Sequence, residues 1–159
     1  MTRPPETRSN SRKYNSTWSK SHSLNEQLKQ LEEHLGALAN QEPVCQLLMS
    51  CPGIDPITAL EYRAAIDDPH RFKYGDRVGS YLGLTPGENS SSLRKRRTSI
   101  TKAGPSELRM LLCQAAWVYW RRHPDTSLSK WAYAIAERRG KKIAMVALMR
   151  KLAVMLWAM

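Results

Sequence analysis

Apolar residues recur between residues 23 and 41 at alternating steps of four and three, which places them on one side of an α-helix. This leucine seam consists of Leu24, Leu28, Leu31, Leu35 and Leu38. Ser23 followed by Glu26 has the form of a capping box, so we expect the helix to begin at Ser23. Two heptads are short for an independent coiled coil. The pattern therefore predicts a coiled-coil-like connector helix over 23–41, which either packs on its own domain or pairs with another chain.

Helical periodicity also dominates the rest of the chain. It predicts helices over 43–50, 56–66, 75–82, 105–122, 126–139 and 141–158. Asp55 before Pro56 suits the start of the second of these helices. Residues 83–104 have no helical period, and strand-like alternation is nearly absent. We therefore predict a mainly α fold, with a compact helical domain over 42–159 that contains a helix-hairpin-helix-like element and a long basic loop.

Residues 1–22 differ from the rest of the chain, because they are rich in Ser, Thr, Asn, Pro, Arg and Lys. Such a composition offers little apolar surface to bury. We predict a disordered basic tail over 1–22.

Charge narrows the class of partner. The 159 residues carry 25 Lys and Arg against 14 Asp and Glu, a net charge of +11. That excess predicts a polyanionic partner, with nucleic acid favoured over an anionic membrane. No run of eighteen apolar residues occurs and the N-terminus lacks an apolar signal region, so we expect a cytoplasmic, nucleoid-associated protein that spans no membrane. The three cysteines and four histidines are scattered, so we expect no metal site in this chain.

The segment from Asn89 to Ser106 concentrates hydroxyl groups and positive charge. Three consecutive serines are followed by a group of cations, and no acidic residue occurs between Glu88 and Glu107. Cations can hold phosphates and a serine hydroxyl can attack one, so the cluster suits a phosphodiester backbone. The alternative is a solvated basic loop. The residues concerned are Ser90, Ser91, Ser92, Arg94, Lys95, Arg96, Arg97 and Lys102.

Two further segments have features of phosphate contacts. The turn at Gly53 and Ile54 resembles a helix-hairpin-helix, in which backbone N–H groups bind DNA phosphate without reading sequence. Asp55 stands where a second glycine is usual, and its carboxylate either opposes a phosphate or caps the following helix. The second segment surrounds Gly140, where cations either bind phosphate or stabilise a helix C-terminus. These cations are Arg138, Arg139, Lys141 and Lys142.

The order and spacing of several short motifs resemble one family. The motifs are Tyr81-Leu82-Gly83-Leu84-Thr85-Pro86, then Ser90-Ser91, then Ile100-Thr101-Lys102-Ala103-Gly104, then Arg139-Gly140-Lys141-Lys142. Over about 45–158 the chain resembles the C-terminal transposase domain of the insertion-sequence-110 family, also called 116 or 902. The resemblance implies a serine-dependent transposase that cuts and rejoins DNA during transposition.

The resemblance also implies residue roles. Ser91 best matches the nucleophilic serine of the family by its distance from Pro86, and Ser90 is the close alternative. Family members usually have glycine where this chain has Ser92. The implied partners are DNA, a structured guide RNA, and either a second copy of the chain or a full-length transposase.

Family members carry an N-terminal ribonuclease-H-like domain whose four acidic residues bind divalent metal, and residues 1–22 do not supply it. We expect Mg²⁺ to bind only where that domain is present. We expect this chain to be a truncated form that is inactive without the domain. The residues therefore leave open whether this chain acts as an enzyme. One alternative is a non-catalytic nucleic-acid-binding module. Another is an interaction protein that modulates a full-length transposase through the leucine seam.

Overall fold

The computed structural model describes the backbone of residues 7–91 and 94–159, and the side chains of 18, 20–87 and 99–159. Seven helices and two strands follow one another along the described chain. They are α1 (Thr7–Gln41), α2 (Pro43–Met49), α3 (Pro56–Ile66), α4 (Gly75–Tyr81), β1 (Pro86–Ser91), β2 (Arg94–Ile100), α5 (Ser106–Arg122), α6 (Ser127–Arg139) and α7 (Lys141–Trp157). A 3₁₀ turn covers Pro69–Arg71. The mainly α class is confirmed.

The starts of α3 and α6 follow from their capping residues. The Asp55 side chain accepts a hydrogen bond from the Thr58 N–H at 2.7 Å, and Pro56 occupies the first turn of α3. Thr126 accepts from the Ser129 N–H at 3.3 Å at the start of α6. These caps satisfy N–H groups that have no partner inside the helix, so short polar residues fix where both helices begin.

Helix α1 begins at Thr7 and not at Ser23. The expectation of disorder over 1–22 is therefore wrong for residues 7–22, and the helix passes through the expected capping box at Ser23. No proline or glycine occurs between Pro5 and Gly36. Nothing in the sequence therefore ends a helix that extends from the leucine seam toward the N-terminus.

The leucine seam lies on the solvent side of α1. Its five leucines are 36% to 60% exposed. Among the described side chains of α1, burial is confined to the C-terminal end, where Ala39 is buried and the helix contacts α2 and α3. Packing of the seam on its own domain, one of the two alternatives left by the sequence, is therefore not what the structure shows.

Helix α7 forms the centre of the core. It packs against α4, α5 and α6, and its Leu148 and Leu152 are fully buried. Hydrogen bonds tie it to the first half of the chain. Among them, the Tyr62 hydroxyl donates to the Ala153 carbonyl at 2.6 Å, and the Trp157 indole N–H donates to the Pro69 carbonyl at 2.9 Å. None of the helices in the described part of the chain is long and apolar enough to cross a membrane.

The expected long basic loop is instead an antiparallel pair of strands, β1 and β2. We refer to this pair as the basic hairpin. Its sequences, PGENSS and RKRRTSI, contain Ile100 as the one large apolar residue. Alternation of apolar residues marks strands that pack one face on a core. Because backbone hydrogen bonds alone can join two strands, the sequence did not predict this pair.

Candidate nucleic-acid interface

The basic hairpin brings the serines next to the cations in its register. Ser91 pairs with Arg94 and Ser90 pairs with Lys95, while Asn89 and Glu88 face Arg96 and Arg97 across the ladder. The register shifts between Pro86 and Glu88, so one strand carries an extra residue near the base. Ser92 lies outside the described residues, as do the side chains of Ser90, Ser91, Arg94, Lys95, Arg96 and Arg97. Their roles in binding or catalysis stay predictions.

Backbone hydrogen bonds continue the hairpin down to α4. The Thr101 N–H donates to the Thr85 carbonyl at 2.9 Å, and the Lys102 N–H donates to the Gly83 carbonyl at 3.1 Å. Lys102 has a φ of 56°, a left-handed conformation that is uncommon for a residue with a side chain. Its side chain is exposed beside the basic hairpin, as a role in phosphate contact requires.

Two glycines allow the base of the basic hairpin to approach α4 closely. A Cβ atom at Gly83 would lie 2.8 Å from the Lys102 carbonyl carbon, and Gly83 has a φ of 67°. A Cβ atom at Gly104 would lie 2.8 Å from the Leu82 backbone and would also collide with the Tyr81 carbonyl oxygen. The segments around Gly83 and Gly104 are those whose spacing carried the family resemblance. The structure shows that they touch each other and support the hairpin.

Arg109 reinforces this junction from α5. Its guanidinium donates to the Gly104 carbonyl and, at 3.4 Å, to the Leu82 carbonyl. Sequence reasoning assigned Arg109 no role. Its contacts fix the direction in which the hairpin leaves the helical core.

The four cations around Gly140 occupy the corner between α6 and α7, which we call the α6–α7 corner. Arg138 and Arg139 lie in the last turn of α6, where positive charge stabilises the helix dipole. Lys141 and Lys142 begin α7, where the dipole opposes them. Among the described residues, no side chain caps this start and its first turn contains no acid. Interaction with a helix dipole therefore explains the positions of the two arginines but not those of the two lysines. A bound anion would offset the positive charge at this corner.

One groove joins the basic hairpin to the α6–α7 corner. It has a volume of about 840 Å³, and it is lined by Ser99 and Ile100 of β2 and by Arg139 and Lys142 of the corner. Arg150, Lys151 and Trp131 also line it. The sequence predicted the two basic clusters but not this shared groove. Arg150 and Lys151, which interrupt the apolar sequence of α7, were the available signal.

The turn at Gly53 and Ile54 packs inward. Gly53 has a φ of 90°, and a Cβ atom there would lie 2.8 Å from the Ala115 carbonyl oxygen of α5. Ile54 is 7% exposed, and its N–H donates to the Cys51 carbonyl at 3.1 Å. The DNA contact predicted at Gly53 and Ile54 stays a prediction, and the geometry gives both residues a packing role.

Other chemistry has little support within the described residues. Among the residues whose side chains are described, no group of three or more His, Cys, Asp or Glu residues is arranged to hold a metal ion. Burial raises the pKa of the Cys51 thiol, and burial is also the main cause of the raised pKa of Cys45. Raised thiol pKa values disfavour the reactive thiolate.

The chain belongs to the transposase IS116/IS110/IS902 family, whose model matches residues 45–131. It is 35% identical over 130 residues to the transposase for insertion sequence element IS1111A of Coxiella burnetii, a match that covers 80% of this chain and 36% of that protein. It is 30% identical over 138 residues to a probable family 20 transposase of Pseudomonas aeruginosa, with 86% of this chain and 41% of that protein covered. The resemblance derived from the sequence is confirmed, and the chain spans about two fifths or less of the length of these relatives.

Proposed function

We propose that this chain binds DNA and supplies a serine nucleophile for strand cleavage and rejoining in transposition. The observation that carries the proposal is the register of the basic hairpin, in which Ser91 pairs with Arg94. In a member of a transposase family, a hydroxyl residue adjacent to cations is suited to attack on a phosphodiester.

The proposed reaction is a reversible transesterification. The Ser91 Oγ attacks the phosphorus atom, an Oγ–P bond forms, and the bond from phosphorus to the 3′ oxygen breaks. The serine proton leaves to solvent and the departing 3′ oxygen takes up a proton. A 3′-hydroxyl later attacks the phosphoserine, which rejoins the strand and regenerates Ser91. The cations that would orient and neutralise the phosphates are Arg94, Lys95, Arg96, Arg97 and Lys102.

Further partners follow as parts of the same proposal. The shared groove and the α6–α7 corner support a second polyanion beside the DNA, for which we propose a structured guide RNA. The exposed leucine seam supports pairing through α1, with a second copy of the chain or with a full-length transposase. Mg²⁺ would be held by an acidic domain outside the described residues, and no step above depends on it. DNA as the substrate implies a nucleoid-associated location.

Replacement of the serine tests the chemistry. A fusion that adds the remaining part of a full-length relative is assayed for strand cleavage and for a covalent protein–DNA adduct. We expect Ser91→Ala to abolish both while DNA affinity changes little, because one neutral hydroxyl contributes little to phosphate binding. The adduct should map to residue 91.

Neighbouring serines provide the matched controls. Ser90→Ala and Ser92→Ala should retain at least partial cleavage. An adduct that forms in Ser91→Ala but disappears in Ser90→Ala would assign the role to Ser90. An adduct that survives all three single changes would contradict serine catalysis in this hairpin.

A non-catalytic nucleic-acid-binding module is the second candidate. The observation that favours it is the α6–α7 corner, whose unbalanced lysines call for an anion without requiring any chemistry. DNA binding by a fusion that never cleaves, with equal affinity in wild type and Ser91→Ala, would favour this candidate. A third candidate, an interaction protein acting on a full-length transposase, would bind that protein through α1 and show no affinity for DNA.

A further inference from the structure

Trp131 is an exposed aromatic residue in the wall of the groove. It lies on α6 with 41% of its surface accessible, and it lines the groove beside the base of β2. The Lys151 ammonium lies 5.9 Å from the centre of its ring. An indole held beside a cation at a groove wall is a suitable surface for stacking another flat ring.

The groove is lined by both apolar and cationic side chains. Ile143, Val146 and Ala147 of α7 form the apolar lining, and Arg139 and Lys142 belong to the cationic lining. Arg150 is already paired with Asp76 at 3.0 Å, which ties α7 to α4. The remaining cations favour a negatively charged occupant, whereas the apolar lining and Trp131 favour an apolar one.

An unpaired nucleotide meets both requirements. Its base has two apolar faces that stack on aromatic rings, and its phosphate carries the charge. The bases of a duplex are stacked on one another, so a duplex offers this groove its phosphates but no free base face. The volume of about 840 Å³ lies within the range of about 300–1,000 Å³ typical of ligand sites.

We propose that this groove binds an unpaired nucleotide of a single-stranded segment of nucleic acid. The base stacks on Trp131 beside the apolar lining, and Arg139 and Lys142 contact the flanking phosphates. This inference rests on the proposed nucleic-acid binding and deepens it, since it names the form of nucleic acid that one surface of the chain takes.

Binding of oligothymidylate and of a duplex with the same number of phosphates tests the inference with the full 159-residue chain. Base–aromatic stacking contributes about 1–3 kcal/mol per base, so we expect Trp131→Ala to weaken oligothymidylate binding by about 5- to 150-fold. Duplex affinity should stay unchanged. Trp131→Phe, which keeps an aromatic face, should retain most of the oligothymidylate affinity.

Trp117 is the matched control. It is 42% exposed but lies on α5, outside the residues that line the groove. Trp117→Ala should leave both affinities unchanged. An equal loss in Trp117→Ala, or an equal loss of duplex and single-strand affinity in Trp131→Ala, would overturn the inference.

Photocrosslinking of the wild-type chain gives a second measurement that does not depend on how any variant folds. Oligothymidylate with one 5-iodouracil should crosslink to the peptide that contains Trp131, and a crosslink confined to other peptides would overturn the inference. Failure of the wild type to bind either ligand at low salt would contradict the proposed function itself. If the wild type binds duplex normally and Trp131→Ala binds oligothymidylate as tightly as the wild type does, only this inference is contradicted. The groove would then be assigned to a protein partner.

Discussion

At the scale of single residues, the base of the basic hairpin depends on two glycines, which have no Cβ atom. Gly83 and Gly104 bring two chain segments closer than any side chain would allow, and Arg109 then bonds to carbonyls on both sides of the contact. A position reached by such close packing is well defined, because packed interiors do not deform gradually. The first residues of the hairpin are therefore held by the helical core and not by the hairpin alone.

Tyr62 permits a prediction about pH. Its hydroxyl donates to the Ala153 carbonyl, and burial raises its pKa above the ordinary value of 10.0. The folded protein thus holds this proton more tightly than the unfolded chain. The stabilisation is complete below pH 10.0 and is lost as the pH rises from there toward the raised value.

We expect Tyr62→Phe to lower the free energy of unfolding by about 1 kcal/mol near neutral pH, since one buried hydrogen bond is lost. The difference from wild type should shrink above pH 10.0, because only the wild type loses stability by titration of this phenol. Urea denaturation at several pH values measures both effects. Tyr74→Phe, at an exposed tyrosine, should match the wild type, and a wild-type advantage that grows with alkaline pH would contradict the assignment.

At the scale of whole elements, α1 presents more apolar surface than its own domain covers. Leu31 is 60% exposed in the middle of the leucine seam. Leu31→Asp should leave monomer stability nearly unchanged and should reduce self-association or docking to a full-length homologue, because it puts a charge into an apolar interface. Sedimentation velocity and pull-down measure the two forms of association.

Gln30→Asp is the matched control, since it adds the same charge to the adjacent position outside the seam. It should associate as the wild type does. Sedimentation and pull-down that are the same for Leu31→Asp and the wild type would mean that the seam mediates no pairing.

The sequence predicted the helices well because their signals are local. Asp55 before Pro56 marked the start of α3, and Gly140 separated α6 from α7, as the structure confirms. The start of α1 was misjudged because a favourable cap at Ser23 does not end a helix that can continue beyond it. The basic hairpin was missed because strands without a core-facing side carry no apolar alternation.

The sequence predicted the basic clusters of the candidate site but not the groove that they share, for a related reason. Cations close together in sequence, such as Lys141 and Lys142, form a recognisable cluster. Their proximity to Ser99, on a strand some forty residues earlier, depends on how α7 packs against the rest of the fold. Trp131 could not be recognised from the sequence, because helical spacing does not distinguish a buried aromatic residue from one in a groove wall.

At the scale of the whole molecule, the net charge of +11 predicts a strong dependence of binding on salt. Each neutralised phosphate of duplex DNA contributes a log–log slope of about −0.9, so the four hairpin cations together with Lys102 give about −4 to −5. Filter binding or fluorescence anisotropy across a salt series measures the slope. A slope near zero, or no binding at low salt, would contradict the nucleic-acid interface.

The same measurement tests whether the α6–α7 corner takes part. If its lysines contact phosphates, the double change Lys141→Gln and Lys142→Gln should reduce the steepness of the slope by about 2. Lys20→Gln with Lys29→Gln, a matched loss of two charges on α1, should leave the slope unchanged. If the double variant has the same slope as the wild type, the corner lysines do not contact phosphates and binding is limited to the hairpin.

The central position of α7 also determines when the protein can fold during its synthesis. The hydrogen bond from Tyr62 to Ala153 joins residues 91 positions apart, and translation at about 5–20 residues per second separates them by about 5 to 18 s. During that interval α2 and α3 are already made while the helix that covers them is still missing. The nascent chain therefore exposes these apolar surfaces until α7 has been made, and apolar surface exposed in this way is prone to aggregation.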